Sequence, residues 1–455
     1  MLNRRSMLLS ASAGAAALAL PPLARAQAGG DQLTPLFDQF FAERLRLHPE
    51  SATQLGMDKG ANADLKGKLS DQSPAGLAAQ KAQTESQLKR LEAVDRAALS
   101  APDRASYDTI LYSLKSAAVV QGFDFGGSAF GPSPYIVSQL TGAYQSAPDF
   151  LDTKHSIQTA ADADAYLSRL AAFAVNIDDN TERMRHDAAL GVAPPDFILD
   201  LTLIQLGKTR TASPDDNLLV TSLARRAVAR GLPDSYAKDA AKLYAERVGP
   251  ALDRQIAEAK TLRAGASHDA GLWRFKEGAA FYQAALHDTT TTPYTPEEVH
   301  KIGLDQAKDL SARVDALLRA QGLTKGTVGE RMKALYADPD QLYPNTDAGK
   351  VEMIAYCNKR LDQMRTLLPN AFSRLPPYKF EVRRVPPQTE AGAASAFSQG
   401  PAIDGSRPGL VYFNLHDSAE WPRFALSTTV FHEGLPGHQL EGGLALSNPH
   451  LSLLR

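Results

Sequence analysis

The chain has 455 residues, 44% of them hydrophobic, and a formal net charge of −2. That length supports a large buried core and exceeds one small domain. The near-balanced charge gives no reason to expect nucleic acid or an acidic membrane surface as a partner.

Residues 1–26 read as a targeting segment and not as structure. A basic start at Arg4 and Arg5, a short run rich in alanine and leucine, and Ala24-Arg25-Ala26 as a small-residue cleavage site make an export signal. The paired arginines followed by Ser6, Met7 and Leu8 fit the twin-arginine type, with an ordinary secretory signal as the alternative. The apolar run is too short and too interrupted to stay as a membrane helix, so no stable membrane insertion is expected. No cysteine lies near the cleavage site for lipid attachment. The mature protein is expected in the periplasm or secreted.

Residues 27–370 read as a helical region. The first segment carries Leu33, Leu36, Phe37, Phe40, Phe41 and Leu45 at helical spacing, and Pro49 is expected to end it. Residues 73–99 and 101–120 predict a pair of long helices, and 166–190 another. The stretch from Ser213 to about Ala264 predicts two more, with Leu232-Pro233 between them. Thr295 followed by Pro296, Glu297 and Glu298 is a helix start. Cys357, the only cysteine, lies in an amphipathic stretch where a small buried thiol is the expected role. With no partner for a disulfide, the fold must stand on packing alone.

The pattern changes in residues 371–455. Tyr378, Phe380 and Val382 alternate with Lys379, Glu381 and Arg383, the period of a half-buried strand. Residues 393–400 predict a second short strand, 401–409 a turn, and 409–415 a third, apolar strand. Residues 420–434 are helical again. The fold class expected is mainly α: a large helical array with a small β-sheet beside the last helix.

That last helix carries His432-Glu433, the opening of an H-E-x-x-H zinc site, but the second histidine falls at 438 and not at 436. On a regular helix, six residues leave two side chains about 120° apart around the axis. One metal cannot take both imidazoles from an unbroken helix. Pro436 and Gly437 supply a break: proline lacks the N–H the helix needs, and glycine tolerates angles closed to other residues. The alternative is a pair of histidines capping a helix C-terminus.

The stretch from His432 to Glu441, preceded by 404–415, resembles the bacterial family known as domain of unknown function 885, whose motif is H-E-x-x-P-G-H. Residues 271–300 also resemble that family's middle segment. The resemblance implies kinship with zincin-type metallopeptidases and a sheet beside a zinc-binding helix. It implies His432 and His438 as Zn2+ ligands and Glu433 as the base. It further implies a third ligand, a glutamate in a downstream E-G-W-A segment, which is not met before Arg455. The site as written is then incomplete, and the catalytic core that starts at 371 is expected to continue past the chain end. Glu441 echoes that segment only superficially, and it could be a ligand only if the helix re-forms after Gly437. Where the family often has a second histidine and a glutamine, this chain has Gln439 and Glu441.

The function expected is an exported zinc-dependent hydrolase acting on a peptide or small amide substrate. A strand such as 410–415 would pair with an extended peptide, and Arg407, Tyr412 and Asn414 are candidates for lining the cleft. The alternative is a non-catalytic helical periplasmic binding or assembly protein on a metallopeptidase scaffold. A serine hydrolase has no G-x-S-x-G elbow to support it.

Overall fold

Hydroxyl side chains write several of the helix starts of this chain. In the computed structural model, which describes residues 33–128, 131–210, 213–387, 389–390 and 393–455, the Ser73 side chain accepts from the Gly76 N–H at the head of Pro74–Glu92. Thr159 with Asp162, Thr295 with Glu298 and Thr327 with Glu330 form reciprocal capping boxes, each satisfying two backbone donors that a helix end leaves free. The expected export signal lies outside the described residues.

The fold is mainly α, with one small three-stranded sheet near the C-terminal end. The first helix ends just before Pro49, as expected, and that proline also starts the next. Leu33–Leu47 stops, and Pro49–Gln54 begins with proline at its first position, where its missing N–H is no loss. Asp196–Thr209 is a helix that periodicity does not mark, because Phe197, Ile198, Leu199, Leu201, Leu203 and Ile204 run almost without a polar interval.

The first large core lies in the helical part. Ala160–Ala189 buries Tyr166, Leu170, Phe173 and Ile177 in one cluster with Leu252 and Ala259 of the helix Gly249–Ala264. Arg169 is fully buried within it. Its guanidinium donates to the Lys68 carbonyl at 2.9 Å, to Thr53 Oγ1 at 2.7 Å and to His155 Nδ1 at 2.9 Å. One side chain thus ties three N-terminal segments to the long helix.

The second core surrounds the sheet. Helix α1 (Asp347–Leu367) lays Met353, Cys357 and Leu361 against Phe380 and Val382 of strand β1 (Phe380–Arg384). Burial pushes the Cys357 thiol up to about 12, as an inert packing residue requires. Strand β2 (Ala396–Gln399) and strand β3 (Gly409–Phe413) complete the sheet. The order is β1-β3-β2: β1 runs parallel to β3 with Phe380 opposite Gly409, and β2 antiparallel with Gln399 opposite Leu410. The outer side of β1 is met by Asn358, whose amide donates to the Val382 carbonyl and accepts from its N–H.

The turn between β2 and β3 links the two parts. The Ile403 N–H donates to the Leu55 carbonyl at 3.0 Å, and Lys59 pairs with Asp404 at 2.7 Å. Among the described residues no helix is long and apolar enough to cross a membrane.

Candidate metal centre

The His-Glu stretch is two helices, not one. Helix α2 (Arg423–Glu433) ends where Gly434 takes φ −103° and ψ −109°, and helix α3 (His438–Leu446) begins after Gly437 at φ −79° and ψ −136°. The Leu435–Pro436 peptide between them is cis. Backbone donors still close the break: Gly434 N–H to the Val430 carbonyl at 2.8 Å, Gly437 N–H to Phe431 at 2.9 Å, and Gln439 N–H to Gly434 at 3.0 Å. The Val430 and Phe431 carbonyls, two of the last four of α2, therefore have backbone partners.

Glycine is required at the break by space. A Cβ at Gly437 would lie 1.7 Å from the His432 carbonyl oxygen. One at Gly434 would lie 2.6 Å from both the Val430 carbonyl oxygen and Leu361 Cδ1. Leu435, 1% exposed, anchors the turn in the second core.

The break swings the two imidazoles together. The rings of His432 and His438 have centroids 4.9 Å apart and stand nearly perpendicular, at 83°. One ligand atom from each of His432, Glu433 and His438 lies within 4.8 Å of the others. Both histidines are exposed and Glu433 is half-buried. Tetrahedral zinc with ligands at about 2.1 Å sets donors about 3.4 Å apart, inside the 4.8 Å limit within which these atoms lie. Two imidazoles are donor types zinc prefers, and with Glu433 kept as a base this set supplies two of the three protein ligands of a catalytic zinc site. It is also the one grouping of at least three metal-ligating residues among the described residues, and Glu441, exposed on α3, is not part of it.

The sheet corrects the expected cleft. The stretch 410–415 cannot receive a peptide strand, because β3 is central and paired on both sides. The strand beside α2 and α3 is β2, at the sheet edge. Alternation then divides the side chains. Val411 and Phe413 enter the core with α2, whereas Leu410 and Tyr412 face the other way.

Tyr412 is 2% exposed and stacked on Phe397 at 4.9 Å, on the sheet face turned from α2. The Lys154 ammonium lies 5.6 Å from its ring, and burial raises its phenol well above the usual range. Asn414 is buried too. Its amide donates to the Glu390 and Ala393 carbonyls at 2.8 and 3.1 Å and accepts from the His416 N–H, which organises the loop entering β2. Arg407 donates to the carbonyls of Gly400, Pro408 and Gln54, so it fixes the turn against the helical part. All three are engaged in structural contacts and not presented as a cleft lining. Sequence reasoning anticipated β2 as a strand but not its place at the sheet edge, and it missed the role of Gln439, for which only the unexplained position after His438 gave a signal.

Fold and site together define a mainly α protein whose small mixed sheet supports a broken His-Glu helix. The chain belongs to the DUF885 family, described as bacterial protein of unknown function, whose model matches residues 49–455. No curated protein matches it. Among solved structures, it is similar to a Colwellia psychrerythraea protein described as a "putative lipoprotein", with a TM-score of 0.85 and 26% identity over 93% of this chain and 74% of that one. It also shares its fold with a Shewanella oneidensis protein of unknown function, at a TM-score of 0.53 and 15% identity over 89% and 70% of the two chains.

Proposed function

We propose that this protein is an exported zinc-dependent hydrolase that cleaves peptide or related amide bonds. The observation that carries the reading is the convergence of His432, Glu433 and His438 across a break that glycine alone can fill. His432 and His438 would hold the ion. Zinc bound there supplies a Lewis acid that acidifies water and polarises a carbonyl oxygen. Glu433 accepts the proton of the attacking water and passes it to the leaving amine, work for which its carboxylate stands beside both imidazoles. The reading requires a further carboxylate ligand, which is not among the described residues gathered at the site.

An extended substrate would lie along β2, adding a strand to the sheet edge beside the motif helices. Export rests on the signal in residues 1–26 and on the description of the Colwellia relative as a lipoprotein. This chain has no cysteine in that stretch for a lipid. Zincin-type kinship belongs to the same proposal.

The test is metal content and peptidase activity of the purified protein. Wild type binds zinc, His438→Ala loses it, and Glu433→Gln keeps zinc while activity falls at least about a hundredfold. Full activity in Glu433→Gln would remove the base from the scheme. The second reading, a non-catalytic helical binding or assembly protein, is favoured by the absence of a third ligand from the gathered set. It predicts an intact fold with no zinc at neutral pH.

A further inference from the structure

We infer that Gln439 is a positioning residue that fixes the distance between His438 and the edge strand β2; the inference rests on the zinc reading above. Gln439 directly follows the second histidine and is 1% exposed. Its backbone N–H donates to Gly434 inside the break. Its side-chain Nε2 lies 2.6 Å from Ser398 Oγ, 2.9 Å from the Gln399 carbonyl and 3.0 Å from the Leu410 carbonyl. Two amide hydrogens therefore serve three acceptors, and those acceptors come from both strands of the β2–β3 ladder at its Gln399–Leu410 end.

The sheet makes room for this contact. At Gly409 a Cβ would lie 2.0 Å from the Gln439 Oε1 and 2.6 Å from Phe380 Cδ1. Glycine there lets the amide reach the end of the ladder.

The consequence for His438 is geometric. Its ring is exposed and leans on His432 across the break, while its own helix starts only at residue 438. The next residue is anchored to the sheet at three points. Gln439 therefore ties the imidazole of α3 to the strand on which the proposed substrate lies. Leucine has nearly the same size but no donor, and it would leave two buried carbonyls without this partner. A neutral imidazole carries one N–H and could serve one acceptor at a time. Glutamine is thus not a lost ligand in this chain but a strut.

The test compares zinc affinity, by competition with a chromophoric chelator, with the thermal midpoint of the metal-free protein. Gln439→Leu is expected to weaken zinc binding about tenfold or more, the scale of lost support behind a metal ligand. Gln439→His should recover part of that loss. Gly409→Ala, which evicts the amide from its seat, should weaken zinc binding like Gln439→Leu and carries the test if that variant does not fold. A purely structural role predicts lower thermal midpoints with zinc affinity at the wild-type value, and that result overturns the inference. Wild type that binds no zinc overturns the zinc reading and this inference together, an outcome distinct from the first.

Discussion

At Gly437 one hydrogen atom in place of a methyl group decides the geometry. The His432 carbonyl occupies the space a side chain would need, so alanine must push apart the turn that joins the two histidines. Gly437→Ala is expected to cost about 2–3 kcal/mol, the upper range of overpacking, and to abolish zinc binding. Urea unfolding and chelator competition read the two effects. A variant of unchanged stability would show that the turn can relax without harm. This constraint was legible in the sequence, because proline and glycine restrict or free the backbone by their own chemistry. Gln439 was not. An amide that reaches a sheet across a turn leaves no periodic trace, and its three acceptors sit about 30 to 40 residues earlier in the chain.

Among the elements, the support beneath the break is α1. Leu361 is 1% exposed, and its Cδ1 sits where a Gly434 side chain would lie. Arg360 of the same helix donates to Ser427 Oγ at 3.0 Å and places its guanidinium over Phe431, 5.4 Å from the ring. Leu361→Ala should open a cavity under the turn and cost about 2–5 kcal/mol. The contrast is Pro296–Ala320, where Leu310 is 52% exposed. Leu310→Ala should change stability by no more than about 0.5 kcal/mol in the same denaturation experiment. Equal losses would contradict the packing described.

Capped and amphipathic helices were legible, as were the three strands, because both rest on local pattern. Strand order was not. The apolar run 409–415 reads equally as an edge or a centre, and only the pairing of β1 and β2 on its two sides places it at the centre. The turn residue Arg407 shows the same limit. Its type suggests a charged cleft, whereas its partners are backbone carbonyls from both parts of the molecule.

On the scale of the whole molecule, pH acts through imidazoles outside the motif, His155 buried and His48 half-buried. Burial and the neighbouring Arg169 guanidinium bring His155 from 6.5 down to about 3, and burial also lowers His48. Between pH 6.5 and 3 the unfolded chain binds a proton at residue 155 that the native state refuses. Stability is therefore fully present above about pH 6.5 and falls as pH drops toward 3, by about 1.4 kcal/mol per pH unit for each such proton. Unfolding free energies measured from pH 7 to 5 should show this slope, and His155→Gln should flatten it. A slope unchanged in that variant would mean the imidazole titrates freely in the folded protein.

The proposed zinc site depends on a broken helix, held open by two glycines and braced on a sheet, that brings His432 and His438 to one ion. Anomalous diffraction at the zinc edge from crystals of the zinc-loaded protein tests it most directly. The expected result is a single strong peak with an imidazole nitrogen of each histidine at about 2.1 Å. An empty map at that point, or a continuous helix through residues 434–437 with the rings turned apart, would contradict it.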